Sequence, residues 1–121
     1  MMKYRFEFYI RPNGRTEFVE FLQSIPAKDK QKLLATISVI QEQGLLVAQH
    51  MEWVKKLDSD IFKISSKISS NIQRALYFHI VDDHFIITHG FTKKTQKTPT
   101  TEIQHAKALK KEFEENNNDN H

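Results

Sequence analysis

Between residues 54 and 92 the chain holds four strand-like stretches in a row, at 54–57, 61–68, 72–81 and 84–92. They are separated only by Asp58-Ser59-Asp60, Ser69-Ser70-Asn71 and Asp82-Asp83. Breaks of two or three polar residues hold hairpin turns and nothing larger, so consecutive stretches must be antiparallel neighbours. This meander constrains the fold more than any other feature. Around it, residues 3–10 alternate Tyr4, Phe6, Phe8 and Ile10 against Lys3, Arg5, Glu7 and Tyr9, a strand with one buried face. Pro12-Asn13-Gly14 breaks that strand.

Residues 15–24 then read as a short helix carrying Phe18, Phe21 and Leu22, and Pro26 separates it from a second helix over 27–43. Leu33, Ile37 and Ile40 carry the helical spacing there, and Gly44 stands where a C-cap belongs. The two helices are expected to form an antiparallel pair. A last helix follows Thr98 as N-cap and Pro99 as first residue, with the stripe Ile103, Ala106, Leu109 and Phe113. The expected class is α+β: a mostly antiparallel sheet, two N-terminal helices and a C-terminal helix, with the helices on one face. Residues 1–113 form one domain, and the asparagine-rich residues 114–121 are expected to be a disordered polar tail.

Composition narrows the chemistry. With no cysteine among 121 residues, disulfides, zinc fingers and thiol catalysis are excluded. No stretch approaches the ~18 apolar residues of a membrane span, and the start lacks the apolar block of a secretion signal. A cytoplasmic protein without membrane contact is expected. Net charge is +3, but the tail holds three acids and no Lys or Arg, so residues 1–113 carry +6. From Ile86 to Lys111 six lysines accompany one acid, Glu102, a balance suited to a nucleic-acid backbone.

Hairpin arithmetic locates these charges. A turn at Asp82-Asp83 sets Leu76 opposite His89 and Arg74 opposite Phe91. A turn at Ser69-Ser70-Asn71 sets Ile68 opposite Ile72, Lys67 opposite Gln73 and Ser66 opposite Arg74. Lys67, Arg74, Lys93 and Lys94 then gather at one end of the sheet, about 5 Å apart across strands, where like charges repel unless a polyanion binds. Strand parity gives a core face with Phe62, Ile64, Ile68, Leu76, Phe78, Ile80, Phe85, Ile87 and Phe91. It gives an exposed face with Lys63, Ser65, Lys67, Gln73, Tyr77, His79, Thr88, Thr92 and Lys94 as an RNA-binding surface. Arg74 falls on the core side, so it must snorkel around the sheet end or be turned outward by a bulge. His79, His84 and His89 recur every five residues, but His79 and His89 fall about 10 Å apart in this register, too far to share a metal. No metal and no cofactor are expected.

The segment His89-Gly90-Phe91-Thr92-Lys93-Lys94-Thr95-Gln96-Lys97-Thr98-Pro99, followed by Glu102-Ile103 and Ala106, resembles RelE/HigB-type toxins of the phage-derived Gp49-like group. Asn71-Ile72-Gln73-Arg74-Ala75-Leu76-Tyr77-Phe78 is similar to the arginine strand of that family, and Val54-Lys55-Lys56-Leu57 with Ile61-Phe62-Lys63-Ile64 to the strands before it. The resemblance spans roughly residues 50 to 113. It implies a microbial-RNase-like, RelE-like fold and ribosome-dependent cleavage of mRNA without a metal. It also implies a HigA-like helix-turn-helix antitoxin whose complex binds operator DNA. Lys63, Lys67, Arg74 and Lys94 fall where the family places its cationic residues. On this basis Lys67, Arg74 and Lys94 are the expected catalytic residues, and Lys63, Asn71, Gln73, Lys93, Gln96 and Lys97 the expected RNA-binding ones. Ser65 stands where many relatives are basic, and the C-terminal tyrosine or histidine of some relatives has no counterpart, which leaves the general base open. The alternative is a ParE-like inhibitor of DNA gyrase, which would not need the cationic cluster.

Overall fold

The computed structural model describes residues 4–94 and 97–118. The chain runs β1 (Arg5–Phe8), α1 (Glu17–Ser24), α2 (Ala27–Gln43), α3 (Leu45–His50), β2 (Val54–Lys56), β3 (Phe62–Ile68), β4 (Asn71–His79), β5 (His84–Thr92) and α4 (Thr100–Asn118). One sheet has the order β1-β5-β4-β3-β2. The meander β2–β5 is antiparallel, as its short breaks require, and β1 closes the other edge parallel to β5.

Helices cover both faces, not one. On the first face α1 lies along β5 and α2 along β3, so the two do not form the expected helix pair. Between them and the sheet lie Phe18, Leu33, Ile37, Ile40, Ile64, Tyr77 and Ile87. On the second face α4 sends Ala106 and Leu109 against Tyr9, Ile61, Leu76, Phe78 and Ile86. The reason is legible in Ala75-Leu76-Tyr77-Phe78 and Phe85-Ile86-Ile87, which do not alternate but stay apolar at every position, the pattern of strands buried on both sides. Tyr77, assigned by parity to the exposed surface, is therefore core: it meets Phe6 edge-on and stacks on Phe62. Thr88 is buried as well and donates to the Leu76 carbonyl. His79 is exposed, beside the Asp82 carbonyl.

Three local features set the frame. Gly44 takes φ +94, a conformation that favours glycine, and lets α3 begin where α2 stops; a Cβ there would sit 2.9 Å from the Tyr4 ring. Leu76 pairs with His89 but Tyr77 with Ile87, so Thr88 is the extra residue of a bulge. The helical signal at the C-terminus extends further than expected: α4 is helical through Asn118, and Asn116 and Asn117 donate to carbonyls four residues back.

Candidate functional site

The Ser69-Ser70 turn is one residue shorter than the sequence suggests, with Ser69 at φ +55. Ile68 pairs with Asn71, Lys67 with Ile72, and Ser65, not Ser66, with Arg74. A shift of one residue exchanges the faces of a strand. It brings Lys63, Ser65 and Lys67 onto the same side of the sheet as Arg74 and removes the conflict in parity. That side is the one α4 covers, but α4 starts only at Thr100, leaving the Arg74 end open.

Arg74 stands at the centre of a small grid. Its direct partners are Ser65 on β3 and Phe91 on β5. Two residues to either side of these are Lys63, Lys67, His89 and Lys93, the diagonal positions, about 7–8 Å away between backbones. The Arg74 side chain is 5% exposed. Its Nη1 donates to the Thr98 hydroxyl at 2.9 Å, while Nε is buried with no partner among the described residues. The Thr98 hydroxyl, expected to cap α4, thus accepts from Arg74, and the helix opens on the Pro99 carbonyl. Burial opposes the guanidinium charge, although an arginine stays cationic in proteins.

Lys63 is the electrostatic counterpart. Burial first, then the cations of Arg74, Lys55 and Lys93, push its amine down to about 8. Lys55 lies directly opposite Lys63 across β2–β3. Sequence reasoning did not single out Lys55, yet the arithmetic used for the other two turns, applied to Asp58-Ser59-Asp60, pairs the two residues. His89, the fourth diagonal, is buried under α4 with Glu102 and Thr88 as partners, and burial holds it below its ordinary range. The open grid is therefore three lysines around one arginine, in a groove of about 950 Å3 that Lys55, Lys63, Lys67, Arg74 and Lys93 share.

The other expected residues lie elsewhere. Lys94 lines a smaller hollow with Phe21, Pro99 and Glu102, and Lys93 takes the place beside Arg74. Gln73 is buried on the opposite face, where it donates to Asp29 of α2 and accepts from Thr92. With both ends engaged, that amide ties β4 to α2 and β5 and does not line the groove around Arg74. Asn71 is exposed at the start of β4, Lys97 is exposed before α4, and Gln96 lies outside the described residues.

Such a site can hold a phosphodiester: a groove lined by one guanidinium and flanking ammonium groups, with one amine lowered to about 8. Among solved structures, the chain is similar to an archaeal RelE–RelB complex from Pyrococcus horikoshii OT3. The TM-score is 0.52 at 18% identity, over 80% of this chain and 100% of that one, a likeness of fold. No curated protein matches the sequence. The family model described as phage derived protein Gp49-like (DUF891) matches residues 20–111, which include every strand of the meander and most of α4. With three quarters of its length inside that model, the chain belongs to the phage-derived Gp49-like family and carries a RelE-like fold.

Proposed function

We propose that the protein is the toxin of a type II toxin–antitoxin pair, a metal-independent endoribonuclease that cuts mRNA on the ribosome. The observation that carries this reading is the grid around Arg74. Three lysines and an arginine with no ion pair to a carboxylate among the described residues cost stability, and a bound phosphodiester offsets that cost. Family membership supports the toxin reading, and the RelE neighbour, solved in complex with RelB, supports a protein antitoxin. A HigA-like helix-turn-helix protein is the partner the reading names.

The chemistry is transesterification. The neutral amine of Lys63 takes the proton of the ribose 2′-hydroxyl, and the 2′-oxygen bonds to phosphorus as the P–O5′ bond breaks. Arg74 and Lys93 hold the negative charge of the phosphorane, and the Lys67 ammonium gives its proton to the departing 5′-oxygen. The products are a 2′,3′-cyclic phosphate and a 5′-hydroxyl. An amine at about 8 is unprotonated in about one molecule in ten at pH 7, enough for a general base.

The test is induction of the chain in cells followed by mapping of RNA 5′ ends. Breaks inside translated codons, absent with Arg74→Ala, are expected. Growth arrest with intact mRNA and induced DNA damage would instead mark a gyrase inhibitor and overturn the nuclease reading.

A further inference from the structure

The cations fill one end of the groove. Where β2 stops, the groove bends round the edge of β3, and its other end is walled by Ala35, Thr36 and Val39 of α2 and by Trp53. Trp53 is fixed beside the cationic grid, because its carbonyl accepts the Ser65 N–H at 2.8 Å and Ser65 pairs with Arg74. From Trp53 to Arg74 is two strand spacings, about 10 Å, a span that the phosphate, ribose and base of one extended nucleotide cover.

The far end differs in character. Part of Trp53 packs on the core below α2, and the rest lines the groove with the exposed Val39 and Ala35. Lys32 and Glu52, one of each sign, line the same groove. Ser66 also lines it: the side chain is only 6% exposed, and its hydroxyl is buried without a partner among the described residues. A hollow of mixed lining, with one aromatic ring between the apolar Ala35 and Val39 and the polar Thr36, Gln49 and Glu52, opening from a phosphate site, has the make-up of a single-stranded base pocket.

We propose that this end is a nucleobase subsite, in which the base adjoining the phosphate held in the cationic grid stacks on Trp53. The inference rests on the RNA reading of the grid and adds to it the means by which one nucleotide is selected.

Trp53 is the chain's only tryptophan, so its fluorescence reports this hollow alone. The probe is a 2′-O-methyl hexaribonucleotide, which cannot undergo the reaction because its attacking oxygen is blocked. Binding is followed by anisotropy, and Trp53 emission is read in the same titration. Quenching is expected with the intact oligomer and is lost when the base at one position is removed. Ala35→Leu, at an exposed helical position, fills the hollow and weakens binding on the order of 5- to 100-fold. It leaves the dependence on salt unchanged, whereas Arg74→Ala lowers the log–log slope by about 0.7. Trp53→Phe retains most of the affinity, and thermal melts confirm that each variant is folded.

Salt-dependent binding with Trp53 emission unchanged, or equal quenching by a fully abasic oligomer, overturns the subsite and leaves the RNA reading standing. Absence of any salt-dependent binding overturns the subsite, and the mapping of RNA 5′ ends in cells decides the RNA reading separately. Equal quenching by polyglutamate would make the hollow a seat for an acidic protein segment and also overturn the assignment to a base.

Discussion

A guanidinium that is 5% exposed, bonded to Thr98 through one nitrogen and unpartnered at another among the described residues, has lost hydration without gaining a counter-ion from them. Lys63, Lys67 and Lys93 around it add repulsion. Arg74→Met, which keeps the volume and removes the charge, is expected to raise stability by about 1 kcal/mol, a few degrees in melting temperature. The same change is expected to lower cleavage by about 10²–10³-fold, the usual effect of removing one donor to a charged transition state. Melting curves and an RNA-cleavage assay on one preparation check both halves. Lys63 makes a related prediction in pH. Its folded pKa, about 8, lies below the ordinary lysine value of 10.5, so between these values the unfolded chain binds more protons and stability rises with pH. Below about 8 both states are charged and the full penalty applies. Lys63→Met should therefore stabilise at pH 7 by about 1 kcal/mol after allowance for solvent screening, and the gain should fade above pH 8. Denaturant titrations at pH 7 and pH 10 measure it.

At the scale of elements, the positions of the strands could be read from the sequence and their register only in part. The Asp82-Asp83 hairpin places Leu76 opposite His89 and Arg74 opposite Phe91 in both sequence and structure, since the bulge at Thr88 offsets the extra loop residue near the turn. The Ser69-Ser70 hairpin has no such compensation. Nothing in Ser69-Ser70-Asn71 announces that Asn71 already belongs to β4, and a one-residue error there put Lys63 and Lys67 on the wrong face. Helix α3 was missed because six residues are too few for a periodic signal. Two substitutions test this framework. Ser69→Gly should stabilise by about 0.5–1 kcal/mol by relieving a left-handed backbone. Gly90→Ala should destabilise by about 1–3 kcal/mol, because its Cβ would lie 2.3 Å from the Phe21 ring and 2.9 Å from the Arg74 carbonyl. The ring can turn, but the carbonyl belongs to the sheet, so Gly90→Ala should also move Arg74 and lower cleavage. Chemical denaturation with parallel activity assays separates the two effects.

For the whole molecule, the decisive contact is the docking of α4. Its apolar stripe was readable from Ala106 and Leu109, but the network that anchors it joins residues far apart in the chain and leaves no local pattern. Arg11 bonds both Glu17 and Glu112, the Tyr9 hydroxyl donates to Glu112, His105 donates to Glu17, and His89 donates to Glu102. Burial raises Glu17, but His105 and Arg11 outweigh it and leave the carboxyl below its ordinary value. Hydrogen bonding from Arg11 lowers Glu112 likewise. A depressed folded pKa contributes stability above the unfolded value, about 4.5, and the contribution disappears as pH falls through the folded one. Acid should therefore loosen α4 before the rest of the sheet, because the face under α1 and α2 is held by the larger apolar cluster. Because α4 also carries the segment with Thr98, its loosening frees Arg74 and uncovers Leu76 and Phe78. Hydrogen exchange at pH 4 should show α4 amides losing protection ahead of those in β4. In Arg11→Ala, which removes the bonds lowering Glu112, the loss should begin at higher pH. Simultaneous loss across α4 and β4 in both proteins would show that the helix is part of a single cooperative unit and that the carboxylates do not control its release.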